Sequence, residues 1–411
     1  MSKYRRYERY KDSGVEWIGE IPEEWEVTKL KRCFKVLNGK EIEIETDSAL
    51  GINVYGSGGV FKKTEKYLFK DESVLFGRKG TIGKPIYVNE PFWTVDTMYY
   101  TKYKEDMIPK WFYYMLNIYP WEAYTTQTAL PSIVGSEVEN DVWAIPSYKE
   151  QYKIVNFLDK KTAEIDALIA DKEKLIELLQ EKRQAIISEA VTKGLNPNVR
   201  VKDSGIEWIG KIPEHWEVTK IKYLSNIRNV KASDSDNDKT YIGLESIESK
   251  TGKLLMNNND EQQAVGETAN IFRKGDVLFG KLRPYLAKCI VADFNGRCTS
   301  ELLVLRTTSN MLPEYLYLFM LSPIFIDVVN SSTYGAKMPR ASWNFIGNLK
   351  IPSPNIKEQE EIVEYLIKLI NNMDDLISDI STQIQKLKEY RQSLISEAVT
   401  GKIDVRNYAV G

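Results

Sequence analysis

The chain has 411 residues, enough for more than one domain, with 43% hydrophobic and 28% charged residues, in the range of globular proteins. A net charge of −2 excludes a chain that coats nucleic acid with its whole surface, so any DNA-facing charge must be local. Cys33, Cys289 and Cys298 are too few and too unpatterned for a disulfide framework or a four-ligand zinc site. The single histidine, His215, has Glu24 at the matching place in an earlier repeat, which argues against imidazole catalysis and metal binding there.

In chain order, the start MSKYRRYERYKDSG lacks an apolar signal-peptide core, and no 18-residue apolar span follows. The sequence predicts no membrane association and a cytoplasmic location. Residues 11–31 read KDSGVEWIGEIPEEWEVTKLK and recur as KDSGIEWIGKIPEHWEVTKIK at 202–222. Trp17, Ile18, Ile21, Pro22 and Trp25, with Trp208, Ile209, Ile212, Pro213 and Trp216, predict a turn-rich packing clamp rather than a regular element.

Each block leads into a variable body, about 32–145 and 223–352, of short Val-, Ile-, Tyr- and Thr-rich runs broken by turns. This is strand composition, interrupted by helical patches at 109–119 and 313–325. The strand word VLFG occurs at 74–77 and 277–280, and basic loops follow it, GRKGTIGKP and GKLRPYLAK. Glycine lets backbone approach a groove wall, arginine can read guanine, and lysine can neutralise phosphate. The loops supply Arg78, Lys79 and Thr81 in one body and Lys281, Arg283, Tyr285 and Lys288 in the other. YGSGGVFKK (55–63), with Ser57, Gly58 and Lys62, fits either a groove-lying loop or a hairpin turn. Its missing GK[ST] excludes a P-loop. TTQTALPSI (125–133) and TYGAKMPRAS (333–342) hold matching places before the tails and offer Gln127, Ser132, Lys337 and Arg340 as donors.

The tails change period. Leu158, Ile165, Leu168, Leu175, Leu179 and Ile186 recur at intervals of three, four and seven in the first. Ile362, Leu366, Leu369, Met373, Leu376, Ile380, Ile384, Leu387 and Leu394 do so in the second. No Pro or Gly breaks about 40 residues in either tail. Each tail predicts a helix of roughly 60 Å seeking a helical partner, and the other tail is the economical one. KEQ recurs at 149–151 and 357–359, and IISEAVTKGL (186–195) is echoed by LISEAVTGKI (394–403).

The chain is thus one module written twice. Duplicated halves favour a pseudo-twofold arrangement, which suits a protein addressing two half-sites on a duplex. The expected fold is α+β: two mixed α/β domains joined by a long antiparallel two-helix coiled coil with pseudo-twofold symmetry. Expected boundaries are 1–147 and 199–356 for the domains, and 148–198 and 357–411 for the helical regions. No glycine-rich cofactor loop, Asn-Pro-Pro-Tyr tetrapeptide or Walker sequence occurs. A recognition device without an active site is the leading reading. A coiled-coil adaptor between proteins, or a stand-alone enzyme with an unrecognised site, are the alternatives.

The start blocks, VLFGRKGTIGKP, FWTVDT (92–97), QTALPSI, VLFGKLRPYLAK, CTSELLVLR (298–306) and the SEAVT tails together resemble the specificity subunit of type I restriction–modification systems. The resemblance spans essentially the whole chain. It implies two target recognition domains, each reading one part of a split double-stranded DNA target, with the coiled coil setting the gap and docking two methyltransferase (modification) subunits. Restriction and translocation subunits would complete the complex. S-adenosylmethionine, ATP and Mg would sit on those partners, with no cofactor and no metal on this chain. The two bodies differ strongly in their candidate contact segments, KGTIGKP against LRPYLAK and ALP against KMP, which implies an asymmetric target.

Overall fold

The computed structural model describes residues 4–42, 44–126, 131–233, 236, 238–255, 269–335 and 337–408. The chain divides into two units: Met1–Glu173 with Thr382–Gly411, and Lys174–Ser381. Each unit takes one start block, one body and a stretch of both tails, so the units interleave the two sequence copies.

In the first unit, an antiparallel sheet runs in the order Phe34–Asn38, Met98–Tyr103, Ser73–Gly77, Ile86–Val88. Ser73–Gly77 is buried throughout, the continuous apolar run expected of a strand covered on both faces. A second sheet, Gly59–Thr64, Ile52–Gly56 and Trp93–Thr94, contains one parallel pairing. Helix Pro109–Leu116 packs on the first sheet with Trp111, Phe112 and Met115 buried. The second unit repeats this plan. Ser225–Ile227, Leu302–Thr307, Val277–Gly280 and Cys289–Val291 form its four-stranded sheet. Helix Pro313–Leu321 covers it.

The start blocks hold more regular structure than their turn-rich composition predicts. Tyr10–Asp12 pairs with Glu20–Pro22, and Glu26–Lys29 pairs with Val142–Ile145. Val201–Asp203 pairs with Lys211–Pro213, and Glu217–Lys220 with Lys350–Ser353. The KDSG word explains the intervening turn. Asp12 Oδ1 accepts from the Gly14 amide at 2.9 Å, and Asp203 Oδ1 from the Gly205 amide at 2.8 Å. Both glycines lie at φ near +70° (70° and 67°), where a side chain is strained.

Trp25 and Trp216 are buried, whereas Trp17 is exposed. Each buried tryptophan packs under the end of a long helix that belongs, in sequence, to the other copy. In the second unit the first tail ends at Lys193, and Gly194 (φ +75°) sits so close that a Cβ there would lie 3.2 Å from the Trp216 ring. In the first unit Gly401 (φ +70°) abuts Pro22 and Trp25 in the same way. Both glycines provide the left-handed residue that ends a helix and the space the ring needs. Ile187, Val191, Ile212, Trp216, Tyr315 and Ile362 share one core.

The KEQ words are also structural. Gln151 and Gln359 are buried, and their amide oxygens accept from the Ile108 and Leu312 backbone N–H groups at 2.9 and 2.8 Å. Those N–H groups open the body helices. The amide nitrogens donate to Pro146 O at 3.0 Å and Pro354 O at 2.8 Å. One side chain thereby satisfies the groups that a helix start leaves unpaired.

The tails form helices Tyr148–Lys193 and Ile356–Val399. In the first unit Asp166 pairs with Arg391 at 2.9 Å, Glu173 with Lys388 at 3.7 Å, and Lys172 donates to Gln383 at 2.7 Å. The partners of Lys172 and Glu173 (Gln383 and Lys388) precede the partner of Asp166 (Arg391), so the segments run antiparallel there. In the second unit Arg183 pairs with Asp374 at 2.7 Å.

The apolar seam needs correction at three positions. Leu158, Ile165, Ile362, Leu366, Ile380, Ile384 and Leu394 are buried, and Leu179, Ile186, Leu369, Met373 and Leu387 are half-buried. Leu168, Leu175 and Leu376 are exposed. The covered stripe of the first helix runs through Ile165, Ile169, Lys172, Ile176, Leu179, Arg183 and Ile187. It includes two basic residues, so following leucine alone steps off it. On the second helix Ile377, half-buried, occupies the stripe beside Leu376.

Candidate nucleic-acid interface

In each body three segments, far apart in sequence, meet at the end of the VLFG strand. In the first, Arg78 and Lys79 both donate backbone N–H to Thr97 O, at 2.8 and 3.2 Å. Gly80 N–H reaches Pro131 O at 2.9 Å, Ile133 N–H reaches Arg78 O at 3.0 Å, and Lys79 bridges to Ser132. The basic loop is thereby strapped to the segment before the tail. In the second, Lys281 donates to Glu301 O at 3.0 Å, Ala341 to Lys281 O at 2.9 Å, and Arg283 to Pro339 O at 2.8 Å. Leu282 bridges to Arg340. The two bodies use one backbone scaffold to hold different side chains, the arrangement a recognition surface needs: rigid support and variable contacts.

Those side chains divide into free and committed groups. Lys79 and Thr81 are exposed. Arg78 is half-buried, its guanidinium 5.9 Å from the Tyr99 ring centroid and 3.4 Å from Asp96 O. Arg283, Tyr285 and Lys337 are exposed, and Lys281 is half-buried. Lys288 is not a free cation: its ammonium donates to Leu244 O at 2.6 Å, and burial lowers its pKa below the ordinary lysine value. Arg340 is held by both oxygens of Glu301 at 3.2 Å each, and this hydrogen bonding raises its pKa. Lys62 pairs with Glu45. Ser57 and Gly58 lie in the hairpin turn joining Ile52–Gly56 to Gly59–Thr64. Gln127 lies outside the described residues.

Sequence reading did not anticipate Thr97 and Glu301, whose carbonyls anchor the basic loops. Both sit in the segment just before the partner strand of VLFG, and FWTVDT and CTSEL occupy matching places in the two copies. Among the described residues no three His, Cys, Asp or Glu side chains gather to hold a metal ion, and no helix is long and apolar enough to cross a membrane.

The family described as the type I restriction modification DNA specificity domain matches residues 22–178 and again 213–386. The chain belongs to this DNA specificity family. Its relatives include the type I restriction enzyme EcoDI specificity subunit of Escherichia coli, 21% identical over 94% of this chain and 90% of that one. The MjaVIII specificity subunit of Methanocaldococcus jannaschii is 24% identical over 94% and 95%. A solved structure from a study of complex assembly and conformational transition in the type I restriction–modification system is similar in fold. Its TM-score is 0.62 at 14% identity, covering 92% of this chain and 98% of that one. As a member of this family, the chain is a DNA-recognising, non-catalytic subunit. The double match coincides with the duplication visible in the sequence and the repeated sheet plan.

Proposed function

We propose that this specificity subunit reads an asymmetric, bipartite duplex target, one part with each body, and recruits two methyltransferase subunits and the restriction and translocation subunits of its complex. The observation that carries this reading is the shared backbone scaffold at the end of each VLFG strand, presenting GRKGTIG in one body and KLRPYLA in the other. One scaffold with unlike side chains reads two unlike half-sites. Residues 1–147 and 199–356 act as target recognition domains, and 148–198 and 357–411 as the helical regions. Ser57, Gly58, Arg78, Lys79, Thr81, Gln127, Lys281, Arg283, Tyr285, Lys288 and Lys337 are the contact set, with Lys62 and Arg340 available by exchanging an acidic partner for phosphate.

The tails form an antiparallel two-helix coiled coil with pseudo-twofold symmetry. Their repeated chemistry supports this: IDALI (165–169) and MDDLI (373–377) supply Asp166 and Asp374, while KRQ (182–184) and YRQ (390–392) supply Arg183 and Arg391. Each aspartate pairs with the arginine of the opposite tail. The coil spaces the half-sites roughly 10 bp apart, centre to centre. S-adenosylmethionine, ATP and Mg belong to the partner subunits, and the complex works in the cytoplasm.

Methylome sequencing of a host carrying this chain with its modification partner gives the test. A split, non-palindromic methylated target is the expected result. A heptad inserted in both tails should lengthen its gap, and a heptad in one tail alone should abolish methylation. An unbroken target, or an unchanged gap after the matched insertion, rejects the reading.

A further inference from the structure

Among the described residues, the second body carries a feature that the first lacks. Arg283 (φ 51°) and Ala287 (φ 47°) adopt left-handed backbone conformations although neither is glycine. They bracket the single helical turn Pro284–Leu286. At the corresponding places the first body uses Gly80 and Gly83, both at φ 81°. Left-handed conformations in non-glycine residues persist where the surroundings over-determine them, and they concentrate at functional sites.

The surroundings of this turn are firm. Pro284 and Ala287 are buried. Arg283 N–H bonds Pro339 O at 2.8 Å, Leu286 O accepts from Lys250 N–H at 3.1 Å, and Ala287 N–H closes on Pro284 O at 2.8 Å. Yet Tyr285, at the centre of the turn, is 45% exposed. The strapped segment adds Tyr334, 64% exposed, and Met338, 51% exposed. A rigid loop thus displays aromatic and thioether surface beside the cation Arg283. Phosphate offers nothing to such surface, whereas the face of a base does. A tyrosine held by a fixed backbone also loses little entropy when it stacks, having only two side-chain torsions.

We propose that Tyr285 is a rigid aromatic wedge that stacks on a base of the second half-site, so that this half-site is selected partly by how readily its bases unstack. The inference rests on the DNA-reading role proposed above and adds a mode of contact to it. The first half-site, faced by GTIG without an aromatic side chain, is read without such a wedge. Easily unstacked pyrimidine–purine steps are favoured at the second.

The test uses the full chain with its modification subunits on duplexes carrying the mapped target. 2-Aminopurine is placed in turn at second-half-site positions other than the methylated adenine. Wild type and Tyr285→Phe should brighten the probe at one step, and Tyr285→Ala should not. Tyr285→Ala should bind roughly 5- to 150-fold more weakly, equivalent to about 1–3 kcal/mol of stacking at 1.4 kcal/mol per tenfold. Thermal melting of the free variants should match wild type, because the ring is exposed. Equal binding by wild type and Tyr285→Ala overturns the wedge. So does a Tyr285→Phe variant as weak as the alanine one, which assigns the contact to the hydroxyl. So does a probe that stays quenched at every position. Wild type that fails to prefer the target over random duplex sinks the DNA-reading role itself, a separate result.

Discussion

Arg183 and Arg391 hold the same place in the two tails, yet their surroundings differ enough to make the pair a controlled experiment. The Arg183 side chain is 4% exposed; it donates to Asp374 at 2.7 Å and to Thr251 O at 3.2 Å. The Arg391 side chain is 28% exposed and its partner Asp166 is 52% exposed. Removing one partner of a buried pair costs about 3–5 kcal/mol, because a charge is left without compensation. An exposed pair contributes about 0.2–1 kcal/mol. Lys253 remains 3.1 Å from Asp374 and softens the first loss, so about 3 kcal/mol is expected for Arg183→Ala and under about 1 kcal/mol for Arg391→Ala. Urea unfolding reads the difference. With a slope of about 1–3 kcal/mol per molar, the Arg183→Ala midpoint should fall by about 1–3 M. Hydrogen exchange should locate the loss in peptides of the second unit, around 180–190 and 370–380. Equal midpoint shifts for the two variants would refute the assignment of unequal burial to twin sequence positions.

Other outcomes follow from the same chemistry. Arg283→Ala should weaken binding to the mapped target by about 1–3 kcal/mol while leaving random DNA unaffected, as for a bidentate guanine contact. Equal loss on both, with a shallower salt dependence, moves Arg283 to the phosphate backbone. Gln359→Leu strands the Leu312 N–H and the Pro354 and Asn310 carbonyls, and should cost about 1–3 kcal/mol or more in chemical denaturation. A neutral result would mean that water replaces the amide. Burial pushes the Cys33 and Cys298 thiols up to about 11 and about 12, so a thiol reagent at pH 8 should label native protein slowly and unfolded protein fast. Burial of Asp404 favours its neutral form, but hydrogen bonds from Arg406 outweigh this and leave its pKa below the ordinary carboxylate value. Its contribution should be complete above the unfolded pKa of about 3.9 and vanish as pH falls through the lower folded value. The stability gap between wild type and Asp404→Asn, followed by acid titration, should close in that window.

Much of the plan was legible in the residues. The duplication, the two long helices and the strand-rich bodies rest on contiguous words: KDSG closes an Asx turn, and uninterrupted threes, fours and sevens build a helix. These are local rules, so reading along the chain reaches them. The seam was only partly legible, since Lys172 and Arg183 lie on its covered stripe and no apolar pattern marks them. The candidate site was legible as words and opaque as geometry. Lys288, Lys62 and Arg340 look like free cations in the sequence and are engaged by Leu244 O, Glu45 and Glu301 in the fold.

The amino-acid sequence alone determined that one module occurs twice, that each copy ends in a long helix, and that the family is one of DNA specificity, because local periodicity and repeated words carry that information. Only the tertiary structure decided which tail closes which unit, how Thr97 and Glu301 anchor the basic loops, and which cations still face solvent. Those outcomes depend on groups separated by tens to hundreds of residues, whose pairing is set by burial and by the need of every buried donor for an acceptor.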